Sequence, residues 1–322
     1  MANSQFLTSC SADAIQKAAE QLIAGHLVAF PTETVYGLGA DATNEQAVQR
    51  VYEVKGRPTN HPLIVHVSSL NALGLWARDI PDYAISLGRA FWPGPMTLIL
   101  KRQELARDFV TGSQDSVGIR VPSEPIALEL LARFESLGGL GVVAPSGNRF
   151  GRVSPTSAQH VRDEIGENLV YGDLIIEGGN SKVGIESTII DCRNDTTTIL
   201  RPGAITTEMI KSIKGINFST QEDQDIRVSG ALEKHYAPNA KVLINQTPIT
   251  GQALMALSAF KTPEGVYRIS SPENVSDFAR LLYSSLRRAD ELGFDVIVVL
   301  IPEGQGMEIA LLDRVSKASN GL

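Results

Sequence analysis

The sequence predicts an α/β protein in two parts, a mixed sheet with helices followed by a smaller parallel sheet. Three observations carry this. Short apolar runs such as Leu27–Phe30 and Leu63–Val67 end at Pro, Gly or polar residues, as buried strands do. Between them lie stretches with apolar residues three and four apart, such as Ile15, Ala18, Ala19, Leu22 and Ile23, the spacing of an amphipathic helix. Before residue 213 strands and helices follow one another without strict alternation, which favours strands of mixed direction. Past Ala240 they alternate, which favours parallel strands joined by helical crossovers.

In chain order, Ser11–Gly25 reads as a helix with Ser11 as N-cap and Gly25 as its stop. Strand Leu27–Phe30 follows. Gly37 and Gly39 read as a bend. Asn44 caps a helix through Tyr52, with Val48, Val51 and Tyr52 inward, and strand Leu63–Val67 comes next. Short helices are predicted at Leu70–Ala77 and Asp82–Ala90, with Pro81 suited to the first turn. The stiff turn Phe91-Trp-Pro-Gly-Pro95 leads into strand Met96–Leu100. Val117–Val121 is read as a strand, Pro125–Leu137 as a strong amphipathic helix, and Gly141–Ala144 as a strand entering Pro145-Ser-Gly-Asn148. A helix at Thr156–Ile165 precedes strands at Leu174–Ile176, Ile185–Asp191 and Thr198–Arg201, and Glu208–Ile213 reads as helical. The pattern fades from 214 to 239, which reads as a linker that carries Lys234-His-Tyr-Ala-Pro238. The expected units are therefore 1–213, the linker 214–239, and 240–322. In the last, strands at Lys241–Ile244, Val266–Ile269 and Val296–Ile301 are expected, with helices at Ala253–Phe260, Val275–Leu292 and Met307–Val315.

Composition narrows the function classes. The 322 residues are 43% hydrophobic and 20% charged, a globular balance, and the net charge of -7 argues against a tight, sequence-independent polyanion binder. Two cysteines are too few for a disulfide framework or a cysteine-rich zinc site. The start, MANSQFLTSC, lacks the basic flank and apolar core of a signal peptide, and no apolar run is long enough to span a membrane. A soluble, cytoplasmic protein without membrane partners, and a monomer, is the expectation.

Familiar single motifs do not account for the chain. Gly37-Leu-Gly39-Ala-Asp-Ala42 resembles a dinucleotide-binding fingerprint, but six residues separate it from the preceding strand, where the glycines of such a turn follow at once. There is no phosphate-binding P-loop, no Gly-x-Ser-x-Gly elbow and no His-Glu-x-x-His spacing. What stands out is dispersed. Lys55, Arg57, Arg120 and Arg201 each sit where a helix or strand gives way to a loop. Singly, each is better explained by a surface salt bridge. Together with the hydroxyls of Thr32, Thr34, Ser146 and Ser187 they suggest an anion-binding cleft. Ser146-Gly-Asn148 reads equally as a plain turn. Ser187, in Glu186-Ser-Thr188, is expected inside an apolar strand, where its hydroxyl needs a partner. His66, alone, reads as a packed histidine.

In order and spacing, PTETVYGLGADA, KGRP with HPLIVHV, WPGPMTLIL, GIRVP, APSGN, SPT, GIESTIID and ILRPG resemble the Sua5/YrdC/YwlC family. The resemblance covers about Ser11 to Ile213, and KHYAP with the trailing α/β region extends it to the two-domain Sua5 branch. It implies a YrdC-like twisted sheet with a concave basic cleft, followed by a Sua5-type C-terminal domain. It also implies L-threonylcarbamoyladenylate synthase activity, a nucleotidyl transfer. L-threonine, bicarbonate and ATP, with Mg2+, would give threonylcarbamoyl-AMP and pyrophosphate. A downstream transferase would then make t6A at position 37 of tRNA, with weak direct tRNA contact as a further implied partner.

By the same resemblance Lys55 and Arg57 are the catalytic cations on the ATP phosphates. Ser146 and Asn148 complete that set, and His61, Ser116, Ser154, Arg201 and Tyr236 are further nucleotide contacts. Thr34, His66, Arg120 and Ser187 would hold threonine or its carbamate. Tyr236, from the linker, would close over the cleft as part of a lid. No metal ligands are assigned. His61 stands where the family often has Asn, and Val228-Ser-Gly-Ala-Leu-Glu233 stands where it is often Pro-Gly-Met-rich, which puts the linker's path in question. Two other readings remain open: an RNA-binding module gripping phosphate backbone, and a carbamoyl-adenylate module serving another acceptor.

Overall fold

The structure, a computed structural model, describes residues 5–7, 10–218, 226–230 and 235–320. Part of the expected linker, including Lys234 and the 231–233 stretch before it, lies outside the described residues.

Local sequence explains most elements. Strand β1 (Gln5–Leu7) precedes helix α1 (Ala12–Ile23), whose first turn is capped by the Ser11 side chain accepting from Ala14 N. Strands β2 (Val28–Phe30) and β3 (Gly37–Asp41) pair antiparallel across the loop 31–36. Here the expected bend at Gly37 and Gly39 is corrected: both glycines are in a buried strand. A Cβ on Gly39 would meet the Phe30 ring at 2.8 Å and Val28 O at 2.9 Å, so the glycine is there for close strand approach. Helix α2 (Glu45–Lys55) is capped by Asn44 and stopped by Gly56 in the left-handed conformation (φ 60°), which redirects the chain into Arg57.

Strand β4 (Ile64–His66), the short helix α3 (Leu73–Trp76) and helix α4 (Asp82–Phe91) lead to strand β5 (Met96–Lys101). The short helix α5 (Asp108–Thr111) precedes strand β6 (Ser116–Arg120). Helix α6 (Pro125–Ser136), strand β7 (Val142–Val143) and helix α7 (Ala158–Ile165) follow. Strands β8 (Leu174–Ile176), β9 (Thr188–Asp191) and β10 (Thr198–Arg201) and helix α8 (Thr207–Lys211) complete this part. Strand β9 starts three residues later than expected, so Glu186 and Ser187 are not in a strand but in the irregular chain that enters it.

The large sheet runs β1-β8-β2-β3-β7-β4-β6-β5-β9-β10 and mixes parallel with antiparallel pairs. The parallel pairing of β4 with β6 sets His66 opposite Arg120. One apolar layer packs Val48, Val51, Tyr52 and Trp76 against the sheet, and another packs α1 and α6 on its other face.

The smaller sheet contains strands β11 (Lys241–Ile244), β12 (Ala253–Met255), β13 (Tyr267–Ser270) and β14 (Val296–Val299), all parallel in the order β11-β14-β12-β13. Helices α9 (Val275–Glu291) and α10 (Met307–Ser319) complete it. The helix expected at Ala253–Phe260 is instead strand β12 and a turn. All three β12 residues are buried, and an apolar run covered on both faces has no period to separate strand from helix. The core under this sheet also takes in Val35, Val153 and Ile185 from the first part, together with Tyr236. The two sheets are thus joined through shared apolar packing. Among the described residues no helix is long and apolar enough to cross a membrane.

Candidate active site

The site lies where the loop 31–36, the end of β6, the turn after β7 and the chain entering β9 converge. In the first loop the Thr32 hydroxyl donates to Val35 O at 2.6 Å, so the Thr34 hydroxyl must be the donor across their 2.8 Å contact. Glu33, between them, accepts from Arg120 Nη2 at 2.6 Å and from Ser123 N at 3.0 Å. His66 Nδ1 lies 3.2 Å from Ile64 O; a carbonyl only accepts, so this nitrogen carries the proton. Burial, with the Arg120 charge adding to it, pushes His66 down to about 3, so the ring is neutral.

A cavity of about 50 Å³ is lined by eight of the sequence-assigned residues: Thr34, Arg57, His66, Arg120, Ser146, Ser187, Arg201 and Tyr236. The others stand around it. Lys55 is buried beneath the Ser-Gly-Asn turn, its ammonium donating to Ser146 O and Asn148 O at 2.5 Å each; burial first, then the Arg57 charge, lowers its pKa well below the usual range. Asn148 donates to Arg149 O and Arg152 O, and its Oδ1 is buried without a partner. Ser154 donates to Glu186 at 2.6 Å. Ser116 borders a separate apolar slot formed by Ile64, Ile99, Gly118 and Ile189, in which Val228 packs. His61 meets the Phe150 ring edge-on at 5.3 Å.

Charge divides the cleft. Arg120 is paired with Glu33. Arg57 and Arg201 have no carboxylate within ion-pair distance among the described residues. Arg57 donates to Pro62 O and Ser229 Oγ, each at 2.9 Å, while Arg201 donates to Ser187 O and to Ser229 O. Burial draws Arg57 down to about 10. Two buried guanidinium groups held only by neutral acceptors are a ready site for an anion of high charge.

Sequence reasoning missed the frame around these groups. Glu186 accepts from Ser154, from Tyr283 Oη at 2.7 Å and from Arg314 Nε at 2.8 Å. Burial acts to raise this carboxyl, but the Arg314 and Arg201 charges outweigh it and hold it at about 2. Tyr236 adopts a left-handed backbone (φ 62°) and lies between the Tyr283 ring, 5.5 Å away and nearly parallel, and the Arg314 guanidinium at 5.4 Å. Its hydroxyl sits against Gly230, where a Cβ would come within 2.3 Å. His235 is buried and pushed down to about 3 by burial. Glu33 and Glu186 were visible inside the motifs PTET and GIEST, but nothing in the sequence of the last helix singled out Arg314.

These groups fix a pH dependence. His66 and His235 have folded values far below the ordinary histidine value, so below about pH 6.5 the unfolded chain binds protons that the folded one does not. Glu186, depressed, adds stability above about 4.5 that is lost toward 2. Unfolding free energy is expected to fall by up to about 1.4 kcal/mol per pH unit per histidine between about 6 and 4, while the lowered Lys55 makes it rise further with pH on the alkaline side. Urea midpoints across that range check this; a His66→Asn variant should show a shallower slope, with His235 and His160 still contributing.

Comparison with known proteins places this geometry. Residues 20–203 match a family model described as telomere recombination, for the Sua5, YciO and YrdC proteins, and residues 205–320 match one described as threonylcarbamoyl-AMP synthase, C-terminal domain. The chain is 37% identical over 318 residues to the threonylcarbamoyl-AMP synthase of Pyrococcus abyssi, covering 92% of this chain and 91% of that one. It is 36% identical over 330 residues to the Bacillus subtilis enzyme of that name, covering 95% and 93%. The crystal structure of P. abyssi Sua5 complexed with L-threonine superposes with a TM-score of 0.86 and 35% identity, over 97% of this chain and 95% of that one.

Proposed function

As the chain belongs to the Sua5 family of threonylcarbamoyl-AMP synthases, we propose that its cleft runs a nucleotidyl transfer with a threonine end and a phosphate end. L-threonine, bicarbonate and ATP give threonylcarbamoyl-AMP, pyrophosphate and water, the first step toward t6A in tRNA. The observation that carries the reading is the division of charge: Arg120 is ion-paired on one side, and Arg57 and Arg201 on the other make no ion-pair contact, with the Glu186 charge near Arg201 already held by Arg314.

The amine of threonine first becomes a carbamate, which attacks the α-phosphorus and expels pyrophosphate. Bicarbonate, ATP and the threonine carbamate are anionic, so the protein's task is positioning and charge neutralisation. Arg120 grips the threonine carboxylate, and Thr34 and Ser187 offer hydroxyls. His66, neutral and protonated on Nδ1, leaves Nε2 as an acceptor for the amine. Arg57 and Arg201 take the triphosphate. Lys55 acts mainly by pinning the Ser-Gly-Asn turn; two of its three donors are committed there. The slot beside Ser116 suits the flat face of a purine once Val228 withdraws. Ser229 and Gly230 line the small cavity and Val228 occupies the slot beside Ser116, so Val228–Gly230 must shift to admit ATP. His235 and Tyr236 then shield the mixed anhydride from water.

Magnesium would come bound to the nucleotide, supplying charge neutralisation at its phosphates. The two carboxylates beside the cleft, Glu33 and Glu186, are committed to Arg120, Ser123, Ser154, Tyr283 and Arg314, and no cluster of metal-ligating side chains is present among the described residues. This donor set suits an ion carried by ATP phosphates and water rather than a protein cage. The product passes to a tRNA-modifying transferase in the same cytoplasmic compartment.

The test is release of pyrophosphate from ATP in the presence of bicarbonate and Mg2+. Release that depends on threonine is expected; release independent of it, or none, overturns the reading.

A further inference from the structure

We propose that Glu33 sorts the two anionic substrates. Its carboxylate orients and neutralises Arg120, so that this guanidinium serves an amino-acid carboxylate and is denied to phosphate. The proposal rests on the assignment of Arg120 to threonine made above.

Glu33 is 4% exposed and Arg120 5%. The carboxylate is fixed on both oxygens, Oε1 by Arg120 Nη2 at 2.6 Å and Oε2 by Ser123 N at 3.0 Å. Its backbone is fixed too, since Val183 N donates to Glu33 O at 2.7 Å. Thr34, the next residue, lines the cavity, whereas Glu33 does not. Glu33 therefore acts through Arg120 and is a positioning residue.

A buried ion pair contributes little net stability against an apolar pair of the same shape, because two charges must be desolvated. This one has a different consequence. Arg120 lines the cavity and its Nε is buried without a partner, so donors remain for a ligand. With Glu33 in place the group meets that ligand as one half of a neutral pair. A singly charged carboxylate that matches the free donors is accepted on geometry. A polyphosphate, which binds on charge, gains far more from Arg57 and Arg201, which lack carboxylate partners. Without the Glu33 charge, three guanidinium groups without an ion-pair contact would line one small cavity, whose remaining carboxylate, Glu186, is paired with Arg314. Pyrophosphate or the ATP phosphates could then bridge into the threonine end, and the two substrates would compete where they must bind together.

The experiment uses the full-length protein, with threonine binding measured by calorimetry in the absence and presence of inorganic pyrophosphate, alongside steady-state kinetics. In the unaltered protein pyrophosphate should leave threonine affinity unchanged. In Glu33→Gln, which keeps an acceptor for Ser123 N, the threonine KM should rise about ten-fold while that of ATP stays within about two-fold, and pyrophosphate should now displace threonine. Glu33→Asp retains the charge but not the reach. It should lose threonine affinity and still exclude pyrophosphate, and it also serves if Glu33→Gln does not fold. Weakened threonine binding in Glu33→Gln without pyrophosphate competition would mean a merely structural role and overturn the proposal, as would unchanged threonine binding. Arg120→Ala separates the two layers. If it leaves threonine binding intact, the assignment of Arg120 fails and this proposal with it. If it abolishes binding while Glu33→Gln changes nothing, only the role of Glu33 fails.

Discussion

Arg57→Ala is expected to lower the kcat/KM of threonine-dependent pyrophosphate release by roughly a thousand-fold while leaving the fold intact. Arg57 sits just beyond the left-handed stop of α2, and its guanidinium donates to Pro62 O and Ser229 Oγ with no carboxylate to balance it. Removing one preorganised donor from a buried charge-stabilising site typically costs about a hundred- to a thousand-fold in rate. The upper end applies because Arg57 and Arg201 act on one triphosphate and each lies in the other's field. Stability should not suffer. The residue is buried as an unpaired cation, and deleting it removes a desolvation cost. Arg57→Lys tests geometry against charge: a point charge without the planar fork should recover only part of the rate. A thermal melt near that of the unaltered protein, together with lost turnover, is the expected pair of results. Full activity in Arg57→Ala would remove this residue from the phosphate end.

The second large effect is expected far from the motifs. Arg314→Ala should destabilise the protein by about 3–5 kcal/mol, because it leaves Glu186 charged and buried without its main partner. Arg314 is fully buried on α10, donates to Glu186 and to Pro202 O, and faces the Tyr236 ring. Its loss removes one side of the seat that holds Tyr236 over the cleft, so turnover should fall as well, including at temperatures where the variant remains folded. The Glu186 carboxyl should then titrate above its present value of about 2, shifting the acid limb of the stability profile to higher pH. Denaturant unfolding at several pH values reads both effects. A double variant with Glu186→Gln should recover part of the stability, since the stranded charge is gone, but not the turnover. A stability loss below about 1 kcal/mol would show that the pair is not what joins the last helix to the cleft.

Much of the first sheet was legible in the sequence because its strands and helices carry their own punctuation. Ser11 and Asn44 do cap α1 and α2, and Gly25, left-handed at φ 83°, does follow the end of α1, while α2 runs three residues past the expected Tyr52. The failures have a physical source. Strand β12 lies between two neighbours with all its residues buried, so its apolar run carries no period. Gly39 looked like a bend because a missing side chain reads the same whether it frees the backbone or makes room for another strand.

Residue type and motif order by themselves determined the family, a two-part α/β chain and the set of cations and hydroxyls from which the cleft is drawn. Only the tertiary structure decided which of those charges are already spent. Lys55 turns its ammonium to backbone carbonyls, Arg120 is neutralised by Glu33, and Arg57 and Arg201 are left without an ion-pair contact. It also brought Arg314, 128 residues from Glu186 in sequence, into contact with it. A sequence pattern reports which groups are present and how each turns relative to its own helix or strand. Electrostatic balance depends on distances between groups from separate elements, and those are set by packing.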